Sequence, residues 1–257
     1  MTKKHIVALL MLVALVVAVS GCTDNSGTSG SASGVIIKSF SPDISEIFSG
    51  DDVTFSLSVE NIGEGNARNV HAKIFGLGTD WARNDDVDKS IGFLEKRQSD
   101  IDAPGGTGDI QWSVTSPANL KVDNTYTAGV RLYYDYTTTA MASVKIYNNE
   151  YIQSNPTEAQ SIMSSSGVAT FAVTDAPVTI TLKGLARPLI YRGDGQMGSI
   201  TITLSNIGQG KPYHSSEDDM TVTISKVSVN NQPCTANLDG TTAKLPRAGE
   251  KVLTCQF

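Results

Sequence analysis

Four oxygen-bearing side chains between residues 84 and 95 have the types and spacing that could do chemistry. Asn84, Asp86 and Asp88 alternate, and Glu95 stands eleven residues after Asn84. That approaches the 1, 3, 5, 12 pattern of a Ca²⁺-binding loop. Lys89 occupies the place where such a loop needs glycine for its sharp turn, and no flanking helices are legible. The spacing therefore predicts a solvated surface loop, with Ca²⁺ as the lesser alternative and no other cofactor. The histidines are His5, His71 and His214. His71 lies between Val70 and Ala72 on an alternating strand and faces away from them. No spacing supplies it with the partners of a zinc site or a Ser-His-Asp triad. With no nucleophile–base pair, metal set or phosphate loop, catalysis is not expected.

The three cysteines carry the remaining chemistry. Cys22 follows Val19-Ser20-Gly21, after a basic start at Lys3-Lys4 and an apolar run from Ile6 to Val19. Fourteen residues are too few to span a bilayer comfortably, which takes roughly 20, but they suit the apolar part of a secretory signal. The pattern resembles a lipoprotein signal peptide. Cleavage after Gly21 is expected, with acylation of Cys22 and a tether to the extracytoplasmic face of the cell membrane. Cys234 and Cys255 then form an even pair in an exported chain, where a disulfide persists.

Removing residues 1–21 leaves 236 of 257 residues, and net charge moves from −6 to −8 as Lys3 and Lys4 are lost. This is enough chain for two domains. The acidic balance and the absence of a basic stripe argue against nucleic acid as a partner. No Asn-x-Ser/Thr sequon occurs, so Asn-linked glycans are not expected.

Residues 22–34 read as a flexible Gly/Ser tether. From Val35 onward the pattern has period two. Val53, Phe55, Leu57 and Val59 alternate with polar residues, as do Val70, Ala72 and Ile74, and then Ile110, Trp112 and Val114. Tyr126–Tyr136 and Ala140–Tyr147 read as a hairpin across Thr137-Thr138-Thr139. Along that first strand Val130, Leu132 and Tyr134 face inward with Tyr126 and Tyr136, and Tyr133 faces out. The tyrosines are accordingly read as packing groups, not a sugar-stacking platform. Asn155, Pro156 and Glu158 predict one short helix over 156–163. Val168–Val173 is a further strand, and Asp175-Ala176-Pro177 marks a boundary. Alternation restarts at Val178, at Ile200 and at Val222. The fold class is all-β: tandem sandwiches over 35–175 and 176–257.

The two halves share a motif. Strand Val53–Glu60 runs into Asn61-Ile62-Gly63-Glu64-Gly65, and strand Ser199–Ser205 into Asn206-Ile207-Gly208-Gln209-Gly210. The asparagine of each copy is expected to close a turn on its own backbone, and the glycines to supply positive φ. The strand and turn, with Ala67-Arg68-Asn69-Val70 after the first copy and Trp112–Pro117 later, are similar to the CARDB family and to archaeal S-layer-like Ig domains. The resemblance implies Ig-like sandwiches used for binding or spacing. It also marks residues 77–107 and 149–166 as insertions, and the second sandwich, ending at Phe257, as smaller or cut short. The function expected is a non-catalytic adhesion, scaffolding or spacer module that meets a surface protein or envelope polymer. The alternative is a glycan- or ligand-binding accessory lipoprotein that uses residues 77–107.

Overall fold

The computed structural model describes residues 34–183, 187–191, 193, 199–229, 232–233, 235–236 and 241–256. The signal segment, Cys22, the tether up to Ser33, and Cys234 lie outside the described residues.

Strict alternation becomes strands. β1 (Val35–Pro42), β2 (Asp52–Asn61), β3 (Ala67–Phe75), β4 (Ala82–Arg83), β5 (Asp88–Leu94), β6 (Thr107–Thr115) and β7 (Gly129–Asp135) make two sheets, ordered β1-β2-β6-β4 and β5-β3-β7. The inward residues Val53, Phe55, Leu57 and Val59 of β2 and Ile110, Trp112 and Val114 of β6 share one core with Val70, Ala72 and Ile74 of β3 and Leu94 of β5. Phe55 pairs with Trp112 and Leu57 with Ile110 across the antiparallel ladder. Burying each such side chain contributes about 1.5–3 kcal/mol. From β7, Val130, Leu132 and Tyr134 pack against this core, as the alternation predicts. The architecture is all-β and sandwich-like.

Residues 77–107 supply β4 and β5, one strand to each sheet. Two expectations are corrected here. The strand expected over 126–136 is confined to Gly129–Asp135, and Tyr126 instead packs edge-on to Trp81 at 5.3 Å. β7 also forms no hairpin with the next strand. β8 (Ala140–Val144) leaves for β10 (Val168–Val173), and β7 pairs with β3. The intervening threonines direct that departure. Thr138 Oγ1 donates to the Val178 carbonyl at 2.7 Å, and the Thr139 N–H donates to Thr174 Oγ1 at 3.0 Å.

Between β8 and β10 lie β9 (Ile146–Asn148), α1 (Asn149–Ser154) and α2 (Pro156–Ser164). The expected helix is present as α2, with Pro156 at its start. α1 was not expected, and it explains why Asn155 does not cap α2 through its side chain. The Asn155 amide donates back to the Tyr151 carbonyl of α1 at 2.9 Å.

The second half continues with β11 (Val178–Lys183), β12 (Leu189–Tyr191), β13 (Ser199–Asn206), β14 (Thr221–Thr223), β15 (Ser228–Val229), β16 (Gln232–Pro233), β17 (Thr235–Ala236), β18 (Thr242–Lys244) and β19 (Glu250–Gln256). The order β11-β13-β19-β17 repeats β1-β2-β6-β4. Leu204, Ala243, Leu245 and Leu253 form a second core, flanked by Val178, Ile180, Ile202, Val222 and Ile224. β12 pairs in parallel with β9, which ties the second half to the segment between β8 and β10. Among the described residues, no helix is long and apolar enough to cross a membrane.

Candidate functional site

The shared turn is where the two copies can be compared atom by atom. β2 ends on Asn61, which is fully buried and opposite Val35. Its amide donates to the carbonyls of Gly65 at 2.8 Å and Glu95 at 3.0 Å, and its Oδ1 accepts from the Gly63 N–H at 3.2 Å. β13 ends on Asn206, opposite Val178, and the Asn206 amide donates to the Gly210 carbonyl at 3.1 Å. The Asn61 N–H donates to Gly106 and the Asn206 N–H to Gly249. The Ile62 N–H donates to Gly34 and the Ile207 N–H to Pro177. The motif is thus one structural unit used twice, closed by its asparagine as expected.

Its glycines are there for a different reason. None of Gly63, Gly65, Gly208 and Gly210 has positive φ. A Cβ on Gly63 would meet the Tyr136 hydroxyl at 2.1 Å, the Gly34 nitrogen at 2.8 Å and the Asp175 oxygen at 3.0 Å. A Cβ on Gly65 would meet the Tyr136 ring at 2.8 Å. The first turn needs bare backbone because other segments lie against it: Tyr136 and Thr137 beyond β7, Gly34 before β1, and Asp175 of the Asp175-Ala176-Pro177 link into the second half.

The link is clamped by Glu64 and Tyr136. The Glu64 N–H donates to the Asp175 carbonyl at 3.0 Å, and Glu64 Oε2 accepts the Asp175 N–H at 3.2 Å. Ser99 donates to the other carboxylate oxygen at 2.9 Å. The Asp175 N–H, then the Ser99 hydroxyl, hold the Glu64 carboxyl below its ordinary range. The Tyr136 hydroxyl accepts from the Gly65 N–H at 2.8 Å. Burial pushes this phenol up to about 12, against the opposing pull of the Gly65 hydrogen bond. Ala176 is buried at the centre of the link.

A second set of contacts joins the halves on the outer face of β3 and β7. Tyr133 points away from the first core, as the alternation requires, but it is not exposed. It is only 8% exposed because the loop between β13 and β14 covers it. The Tyr133 hydroxyl donates to Glu217 Oε1 at 2.8 Å, and Arg131 Nη1 reaches Glu217 Oε2 at 2.7 Å. Tyr213 meets the Tyr133 ring edge-on at 6.1 Å, and His71 stacks on it at 4.8 Å. His71 Nδ1 lies 2.7 Å from Asp88 Oδ1. The Tyr133 hydroxyl, then the Arg131 charge, favour the ionised Glu217 carboxylate and lower its pKa. Asp219 shapes the covering loop. Its carboxylate accepts the N–H groups of His214, Ser215, Ser216 and Thr221, and its pKa is far below the usual carboxylate range, led by the Ser215 bond. In sequence Glu217 and Tyr213 carried no readable signal, and Asp175 was legible only as part of a boundary. Tyr133 was legible only as the outward residue of its strand.

The four candidate Ca²⁺ ligands are not brought together. Asp88 opens β5 and Glu95 follows its end, so an extended strand of about 20 Å separates them, far beyond one ion's shell of about 2.5 Å. Asn84 donates to Thr115 Oγ1, and Lys89 pairs with Asp85 at 2.9 Å. Among the described residues, no cluster of three or more His, Cys, Asp or Glu could hold a metal. His214 is engaged with Thr223. Cys255 is buried in β19 at the place that Trp112 takes in β6, each paired with the corresponding residue of the neighbouring strand, Ile200 and Phe55.

No family model matches this chain, and neither a curated protein nor a solved structure matches it significantly. What the site can do must be read from its own geometry, and that geometry joins the two all-β halves without assembling reactive groups among the described residues.

Proposed function

We propose that this chain is a lipid-anchored display module of the cell surface. In this reading the signal peptide is removed, Cys22 is acylated, and a Gly/Ser tether carries two Ig-like, CARDB-like sandwiches on the extracytoplasmic face. The module is non-catalytic and acts as a spacer or scaffold that presents its surface to a protein or envelope polymer. The observation that carries the reading is the joint. Glu64, Tyr136 and the first turn hold the link at Asp175, while Tyr133 and Arg131 hold Glu217. A spacer needs such a fixed angle between repeats, because a free linker would let the two units point anywhere. A disulfide between Cys234 and Cys255 belongs to the same reading. It is supported by β17, which directly follows Cys234 in sequence and pairs with β19 at Cys255.

Fractionation of cells that express Cys22→Ala tests the proposal. The wild-type chain is expected in the membrane fraction and open to added protease on intact cells. The variant is expected to leave the membrane fraction with its circular dichroism unchanged. A variant that stays membrane-bound would overturn the anchor.

A further inference from the structure

We propose that β8 pairs edge to edge with β8 of a second copy of this chain, antiparallel and about a two-fold axis at Ala142. β8 and β10 form a two-stranded sheet, so among the described residues each strand has one neighbour and one edge without a neighbouring strand. Both faces of this ribbon are open: Met141 is 73% exposed and Phe171 40%. An isolated two-stranded ribbon is marginal in water, and further strands are what stabilise it.

Edges that must stay free are protected by charge, proline or a bulge. β10 has such protection, because its register shifts between Val168 and Thr170 and leaves Ala169 as an extra residue that bends the edge. β8 has none. Its register runs unbroken, and Thr137–Val144 contains neither a charged residue nor proline.

A second copy is the occupant that this edge fits. The two-fold axis sets Ala142 against its own copy, Met141 against the partner's Ser143, and Ala140 against the partner's Val144. Small and apolar residues oppose one another throughout. Each Lys145 then faces the partner's Thr139, so the two ammonium groups lie at opposite ends of the pair, about 20 Å apart. The chain carries a net charge of −6, so copies repel over most surfaces and can meet where charge is absent. The chain's own tether is a poor candidate for the added strand, since residues 23–34 are Gly/Ser-rich and lack β-forming residues. Five paired residues bury less than the roughly 1,000 Å² of a stable interface, so the dimer is weak in dilute solution.

The test uses the full chain with Cys22→Ser, purified in detergent, so that it does not depend on acylation. Directly opposed residues in an antiparallel pair have Cα atoms about 5 Å apart, within disulfide range. Ala142→Cys is therefore expected to form a reducible dimer under mild oxidation at least about tenfold faster than Val252→Cys, an exposed site on β19. Sedimentation of the parent is expected to show a concentration-dependent dimer that Met141→Lys abolishes with an unchanged melting temperature. Equal cross-linking rates for Ala142→Cys and Val252→Cys would overturn the proposal. So would a parent that stays monomeric at millimolar concentration, or faster cross-linking through Thr170→Cys on β10.

Discussion

A methyl group added to each glycine of the shared turn should have graded consequences, set by what lies against that glycine. At Gly63 the new Cβ would fall 2.1 Å from the Tyr136 hydroxyl and within 3.0 Å of two backbone atoms, Gly34 N and Asp175 O. Backbone cannot step aside cheaply, so overpacking costs about 1–3 kcal/mol. Displacing Tyr136 also loses its hydrogen bond from the Gly65 N–H, for about 1 kcal/mol more. Gly63→Ala is therefore expected to cost about 2–4 kcal/mol. At Gly208 the nearest atom is Pro177 Cβ at 3.0 Å, and about 1 kcal/mol is expected. At Gly210 nothing lies within 4 Å, so alanine should be neutral, or stabilising by about 0.5 kcal/mol through the unfolded chain. Urea unfolding followed by circular dichroism, which reads both halves, separates these cases, and emission of Trp81 and Trp112 adds a probe of the first core. Tyr136→Phe in the Gly63→Ala background should recover part of the loss, since it deletes the atom in closest conflict. If Gly63→Ala proves no more costly than Gly210→Ala, the claim that the first turn is shaped by Tyr136, Gly34 and Asp175 packed against it is wrong.

Two further outcomes follow from the same joint. Asn61→Ala removes three well-formed hydrogen bonds from a fully buried site and should cost about 3 kcal/mol in urea unfolding, against about 1 kcal/mol for Asn206→Ala, for which one is seen. Because the Tyr136 phenol is raised to about 12 from an ordinary value of 10, its contribution is intact below pH 10 and lost as pH rises toward 12. Tyr136→Phe should flatten that alkaline decline in melting temperature, and an unchanged decline would exclude Tyr136 as its source.

Much of the fold was legible because burial on one face imposes period two, and Val53–Val59 or Ile110–Val114 cannot satisfy it otherwise. The repeat was legible because the same asparagine closes both turns. Pairing was not. The Tyr126–Tyr136 and Ala140–Tyr147 stretches suit a hairpin locally, yet the bonds of Thr138 and Thr139 lead the chain to a partner some thirty residues later. The purpose of Gly63 was hidden for the same reason. Alternation and turn chemistry describe neighbours along the chain, whereas the atoms that forbid a Cβ there belong to Tyr136 and Asp175. The spacing of Asn84, Asp86, Asp88 and Glu95 gave Ca²⁺ only as the lesser alternative, and linear spacing could not tell whether the intervening residues curl or extend; β5 extends. Tyr133 was assigned to the correct face, but its cover comes from a loop eighty residues away.

Intact mass spectrometry of the chain recovered from the membrane fraction tests the display reading most directly. The expected N-terminus is Cys22, with residues 1–21 absent and added mass of acyl chains on that residue. A mature N-terminus elsewhere, or Cys22 without lipid, would contradict it.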